Sequence, residues 1–147
     1  MQTMFTHEYF MRLALQQAHL ALDANEIPVG AIVVCNNTVV AKAYNQTELL
    51  QDVTAHAEML AITAAANYLG GKYLPNCTLY ITLEPCIMCS GAAYWAQLGA
   101  VVYGASDEKR GFTTLQKPIL HPKTQIVSGI LAVECAALMS DFFKSKR

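Results

Sequence analysis

The chain has 147 residues, is 54% hydrophobic, and carries five cysteines and a formal net charge of -1. That length can bury a proper core in one domain, residues 1–147, with no linker, repeat or low-complexity tract to divide it. No apolar run approaches the roughly 20 residues of a membrane span, and the first ten residues lack a secretory pattern, so a reducing cytoplasm is the expected setting.

The charge is unevenly placed. Residues 1–108 carry three basic and nine acidic side chains, whereas residues 109–147 carry seven basic and two acidic, a swing from -6 to +5. Basic residues at Lys109, Arg110, Lys117, Lys123 and across 144–147 suggest contact with a polyanion. The simpler alternative is a solvated helix end whose cations answer the macrodipole.

In chain order, Thr6 is expected to cap a helix that reaches about residue 24, with Phe10, Leu13, Ala14, Ala18, Ala21 and Leu22 as its apolar stripe. His7 and His19 on it have no acidic or thiol neighbour at ligand spacing. Residues 31–35 are β-branched, Asn36-Asn37 is a turn, and residues 38–43 return, which predicts a hairpin. Residues 44–54 are polar and irregular, the kind of loop on a rigid hairpin that touches substrate. Residues 55–69 are alanine-rich and helical, stopped by Gly70-Gly71. A strand over 78–82, a helix over 86–98 and a strand over 100–103 imply a parallel pair with a right-handed crossover. The loop over 106–122 is long enough to be functional, which makes Asp107 and His121 candidates for partner contact, against the alternative of solvated surface residues. A short strand over 125–128 and an amphipathic helix over 131–144, bearing Phe142 and Phe143, complete an α/β chain. The expected fold is a three-layer α/β/α sandwich around a mixed five-stranded sheet.

The chemistry concentrates in Thr82-Leu83-Glu84-Pro85-Cys86-Ile87-Met88-Cys89, together with His56-Ala57-Glu58 upstream. Two cysteines three apart after a helix-opening proline put both sulfurs on one face of a first turn. A catalytic zinc takes three protein ligands and leaves a fourth position for water, and His56 supplies the third ligand beside Cys86 and Cys89. His56 and Glu58 are two apart and do not share a helix face, so they converge only if a helix begins there. Two rival readings are weaker. A redox CxxC lacks a thioredoxin-like context and leaves the His-x-Glu unexplained. A structural zinc would need a fourth ligand, and a strand at ~3.3 Å per residue puts Cys77 more than roughly 15 Å from Cys86. Cys35, Cys77 and Cys135 are expected as small buried apolar residues.

His-x-Glu followed by Pro-Cys-x-x-Cys resembles the signature of the cytidine deaminase superfamily of zinc nucleobase deaminases. Over most of its length the chain resembles the bacterial tRNA adenosine deaminases within it. The resemblance rests on Pro28-Val29-Gly30-Ala31, on Asn45, on Thr54-Ala55-His56-Ala57-Glu58, on residues 82–89 and 102–105, and on Glu134-Cys135-Ala136-Ala137-Leu138 with Asp141-Phe142-Phe143. It implies one zinc per subunit on His56, Cys86 and Cys89, Glu58 as the catalytic proton shuttle, and a homodimer. It further implies Asn45 at the base, with Asp107, His121 and Phe143 toward a tRNA anticodon stem-loop, and conversion of wobble adenosine to inosine. Ala93-Tyr94-Trp95-Ala96-Gln97 departs from that pattern and resembles bacterial guanine deaminases, which keeps a free purine base or nucleoside as the alternative substrate. Tyr94 and Trp95 are expected to serve core or dimer packing. A non-catalytic zinc module is the third possibility, and the retained Glu58 speaks against it.

Overall fold

Asn36 and Asn37 both hold positive φ, at 51° and 64°, the left-handed conformation that a two-residue hairpin turn requires and that Asn tolerates. They join β1 (Gly30–Cys35) to β2 (Thr38–Tyr44) in antiparallel register, as the sequence predicts. In this computed structural model, which describes residues 5–146, β1 also pairs antiparallel with β3 (Cys77–Leu83). Two further strands, β4 (Ala100–Ala105) and β5 (Gln125–Val127), add in parallel to give one mixed sheet in the order β2-β1-β3-β4-β5.

Helices cover both faces. On one side lie α2 (Ala57–Leu69) and α3 (Ile87–Ala96), whose alanines Ala57, Ala61, Ala65 and Ala93 are buried with Val33, Leu79, Ile81 and Val101. On the other lie α1 (His7–Asp23) and α4 (Ala132–Ser145), where Phe10, Met11, Ala14 and Cys135 pack on Ile32, Tyr80 and Val102. This is the expected α/β/α sandwich. The buried stripe of α1 is Phe10, Met11, Ala14, Ala18 and Ala21; Leu13 and Leu22 are only half-buried, and Met11 takes the central place. Thr6 caps that helix as predicted, its hydroxyl accepting from the Tyr9 N–H at 3.0 Å.

Gly30 shows how closely α1 approaches the sheet, since a Cβ there would strike the Ala14 carbonyl and the Ala18 nitrogen. Strand polarity then decides where a site can form. The end of β2 and the end of β3 lie at the same edge, because Gly30 pairs with Tyr44 and Ala31 with Ile81. The connections leaving them, 45–56 and 84–86, therefore run side by side outside the carboxyl end of β3, where open α/β sheets bind ligands.

Candidate active site

Both connections end in a helix start, and the capping residues are chemically unusual. His56 is the N-cap of α2 and Cys86 the N-cap of α3; both have extended backbones, with ψ of 154° and 176°, and neither side chain makes a capping hydrogen bond. Ser, Thr, Asp or Asn at such positions stabilises a helix by about 1 kcal/mol, so these two side chains forgo that role and remain available to a ligand. Cys89 lies one turn into α3 and is fully buried, and Glu58 lies in the first turn of α2 at 4% exposure.

His56 Nδ1 stands 3.7 Å from Cys86 Sγ and 3.4 Å from Cys89 Sγ, and the three donor atoms all lie within 4.8 Å of one another. A tetrahedral zinc with bonds of ~2.3 Å to sulfur and ~2.0–2.1 Å to nitrogen sets its nitrogen–sulfur edges at about 3.5–3.6 Å. The observed edges bracket that value. Two thiols and one imidazole form a borderline-soft donor set that suits zinc, and three protein donors leave one tetrahedral corner open.

The four ionisable groups of the cluster shift one another. The Cys89 thiol beside Cys86, followed by His56, holds Cys86 down to about 4. Cys89 is pushed up, first by Cys86 and then by burial. The sulfur of Cys86 raises the His56 imidazole above its ordinary value. Burial pushes the Glu58 carboxyl up to about 7, despite the opposing pull of its own backbone N–H and of His56.

Two buried carboxylates, Glu84 and Glu26, shape the surroundings. Glu84, inside the cysteine motif and 3% exposed, accepts from the Asp107 N–H at 3.0 Å with Oε1. Its Oε2 accepts from the Thr113 N–H at 2.9 Å and the Thr113 hydroxyl at 2.7 Å. Gly111 packs so closely on this carboxyl that a Cβ would collide with it. The Phe112 N–H donates to the Pro85 carbonyl at 2.9 Å, so the segment from Asp107 to Thr113 is tied down beside Cys86. Glu26, 1% exposed, accepts from the Glu48 N–H at 3.0 Å and the Leu49 N–H at 2.8 Å, which anchors the other rim. The signal for both was a Glu within an otherwise apolar or motif-bound stretch, but their backbone partners lie more than 20 residues away.

The remaining sequence candidates divide. Asn45 is buried at the end of β2; its amide donates to the Ile27 carbonyl at 3.2 Å and accepts from the Thr47 N–H at 3.3 Å. The next residue, Gln46, donates its N–H to the Ala55 carbonyl, which joins this loop to the start of α2. Asp107 is brought toward the cluster through Glu84, and its own carboxylate accepts from the N–H groups of Lys109 and Arg110 at 3.1 and 3.0 Å. His121 and Phe143 are held elsewhere. The His121 ring lies 5.7 Å from that of Tyr94 near the far end of α3, and Phe143 is 45% exposed on α4 beside Phe142. Tyr94 and Trp95 are not in the core, contrary to one of the two packing roles expected of them: Trp95 is 75% exposed and Tyr94 38%, because both project from the solvent side of α3. In the tail, Lys146 folds back to Asn25 and over the Phe142 ring, while Arg147 lies outside the described residues.

A mixed sheet, two helix N-termini converging on a His-Cys-Cys cluster, and a buried Glu at its side define a zinc-dependent deaminase, a hydrolase. The chain belongs to the cytidine and deoxycytidylate deaminase family, whose zinc-binding region matches residues 4–105. Among its relatives, a tRNA-specific adenosine deaminase of Aquifex aeolicus (strain VF5) is 44% identical over 145 residues, covering 95% of each chain. A solved structure from work on A-to-I editing by tRNA:A34 deaminases at the wobble position of transfer RNA superposes with a TM-score of 0.83 at 40% identity, covering 88% of this chain and 97% of that one. A guanine deaminase from Bacillus subtilis superposes with a TM-score of 0.67 at 40% identity, over 69% of this chain and 66% of that one.

Proposed function

We propose that this protein hydrolyses adenosine to inosine at the wobble position of tRNA, as a single zinc-dependent catalytic domain over residues 1–147 that works in the cytoplasm as a homodimer. The observation that carries the chemistry is the His56, Cys86 and Cys89 cluster with Glu58 buried against it. The choice of substrate is supported by similarity to the Aquifex aeolicus tRNA-specific adenosine deaminase over nearly all of both chains.

In this reading His56, Cys86 and Cys89 hold one zinc per subunit. The chemistry zinc supplies when bound is Lewis acidity, which brings the pKa of a water molecule toward neutrality. Glu58 takes the proton of the attacking water on a carboxylate oxygen and passes it to the ring nitrogen beside the amino-bearing carbon. It then takes the proton of the newly added hydroxyl and delivers it to the departing amine as the C–N bond breaks, so that water and adenosine become inosine and ammonia. A buried carboxyl whose pKa is raised by desolvation can both accept and return a proton, which suits one group to both steps.

In this reading Asn45, after the end of β2, and Asp107, held through its N–H by Glu84, are the side chains that orient the base. Lys109 and Arg110 are exposed next to Asp107 and meet the phosphates of an anticodon stem-loop, whose unpaired bases are easily splayed outward. Phe143 offers a ring for stacking farther along the RNA, and His121 flanks the same partner from the 106–122 loop. Trp95 and Tyr94 are large rings left in solvent by a monomer and suit the interface with a second copy. The second reading, guanine or another free purine as substrate, draws on the partial superposition with the Bacillus subtilis guanine deaminase. Purified protein offered an anticodon stem-loop with adenosine at the wobble position, free adenosine, and guanine at equal concentration tests the choice. Inosine in the RNA is expected; ammonia from guanine with unmodified RNA would overturn it.

A further inference from the structure

Cys35 closes β1 and Cys77 opens β3, and the two face each other directly in antiparallel register. Neither spends its backbone on the other. The Cys77 N–H donates to the Leu74 carbonyl at 3.2 Å and its carbonyl accepts from the Gly99 N–H at 3.0 Å, while Cys35 pairs with Thr38 across the two-residue turn. They therefore form a non-hydrogen-bonded pair, the type in which opposed Cα atoms approach to ~4.5 Å and the side chains lie closest. A disulfide accepts Cα separations of about 4.4–6.8 Å. Both side chains belong to the face covered by α2 and α3.

Access and chemistry are graded across the pair. Both thiols are free; Cys35 is half-buried and Cys77 is 1% exposed. Burial, and then the neighbouring Cys35 thiol, push Cys77 up to about 12, so it waits as a protonated thiol behind a more accessible one. The pair sits at the start of β3, and the seven residues of that strand, at ~3.3 Å each, put it roughly 20 Å from the metal cluster beyond the strand's other end.

We infer that Cys35 and Cys77 are a thiol pair that a peroxide converts reversibly to a cross-strand disulfide, independently of the metal thiols. Cys35 sulfur attacks one peroxide oxygen, forming an S–O bond as the O–O bond breaks, and the departing hydroxide leaves as water with the Cys35 proton. Cys77 sulfur then attacks the sulfenic sulfur of Cys35. The S–S bond forms, the S–O bond breaks, and the second hydroxide leaves as water with the Cys77 proton. Two thiols lose two electrons and one peroxide becomes two waters.

The test treats zinc-loaded full-length protein with hydrogen peroxide, alkylates free thiols, and maps peptides without reduction. The expected product is two hydrogens lighter, contains one linkage joining Cys35 to Cys77, keeps its zinc, and reverts with a dithiol reductant. Cross-linking residues so far apart in the chain should raise the midpoint of thermal unfolding by roughly 5–10 °C. C35S should abolish the linkage, and C77S should leave Cys35 trappable by dimedone as a sulfenic acid. Recovery of Cys35 in oxidised form with Cys77 still alkylated in the wild-type chain would overturn the proposal. So would a linkage between Cys86 and Cys89 accompanied by zinc loss.

Discussion

Two regions at the same end of the sheet each bury a carboxylate, the start of α2 with Glu58 and the β3–α3 connection with Glu84, at 4% and 3% exposure. Their surroundings differ. Glu84 accepts three hydrogen bonds from Asp107 and Thr113, and its two oxygens work as a clamp on a loop. Glu58 faces a histidine and two sulfurs, and burial pushes its pKa to about 7. Equal burial therefore produces opposite roles. A carboxylate saturated by N–H and O–H donors is a fixed structural acceptor, whereas one left among ionisable groups can exchange a proton.

Four variants break or sharpen that contrast, in falling order of effect on turnover. Cys86→Ala removes one of the three proposed metal donors; zinc content by elemental analysis and inosine formation should both fall to background. Glu58→Gln keeps the shape and the metal donors but cannot carry a proton. Zinc should stay near one per chain while turnover drops by about 10²–10⁴-fold. A zinc-free Glu58→Gln protein would reassign this residue as a ligand.

Glu84→Gln probes the clamp. The carboxylate accepts on both oxygens, so an amide must turn its NH₂ toward either the Asp107 N–H or the Thr113 donors, leaving a buried donor unpaired at about 1–3 kcal/mol. The thermal midpoint should fall by several degrees with zinc retained, and turnover should fall less than for Glu58→Gln. A loss of zinc at unchanged stability would show that Glu84 acts on the metal instead. The smallest effect belongs to the rim. Lys109→Ala with Arg110→Ala should leave zinc and stability unchanged and flatten the dependence of log affinity on log salt by about 0.7 for each lost phosphate contact with a single strand. An unchanged slope would move the RNA contact to another part of the surface.

The sequence alone determined the two halves of the reactive cluster, because each half is short-range, while strand order brought His56 to within 3.7 Å of Cys86. Cys86 and Cys89 are one helical turn apart, His56 and Glu58 two residues apart, and in each segment the helix start that aims them is written next to them. The hairpin was equally local, since Asn36-Asn37 meets the φ demands of its own turn. The start of α2 falls at Ala57, two residues after the expected 55, because His56 holds the extended backbone of an N-cap. Only the tertiary structure decided which distant groups became neighbours: Glu84 under Asp107 and Thr113, Glu26 under Glu48 and Leu49, Cys35 across from Cys77. These contacts depend on strand order and register, with antiparallel β1–β3 beside parallel β3–β4, and a hydrophobic pattern constrains which face a residue takes far more than which strand lies beside it. The exposure of Trp95 has the same origin: an apolar ring is written into the chain, but the side of α3 that meets the sheet is settled by the packing of Cys89, Ala93 and Ala96.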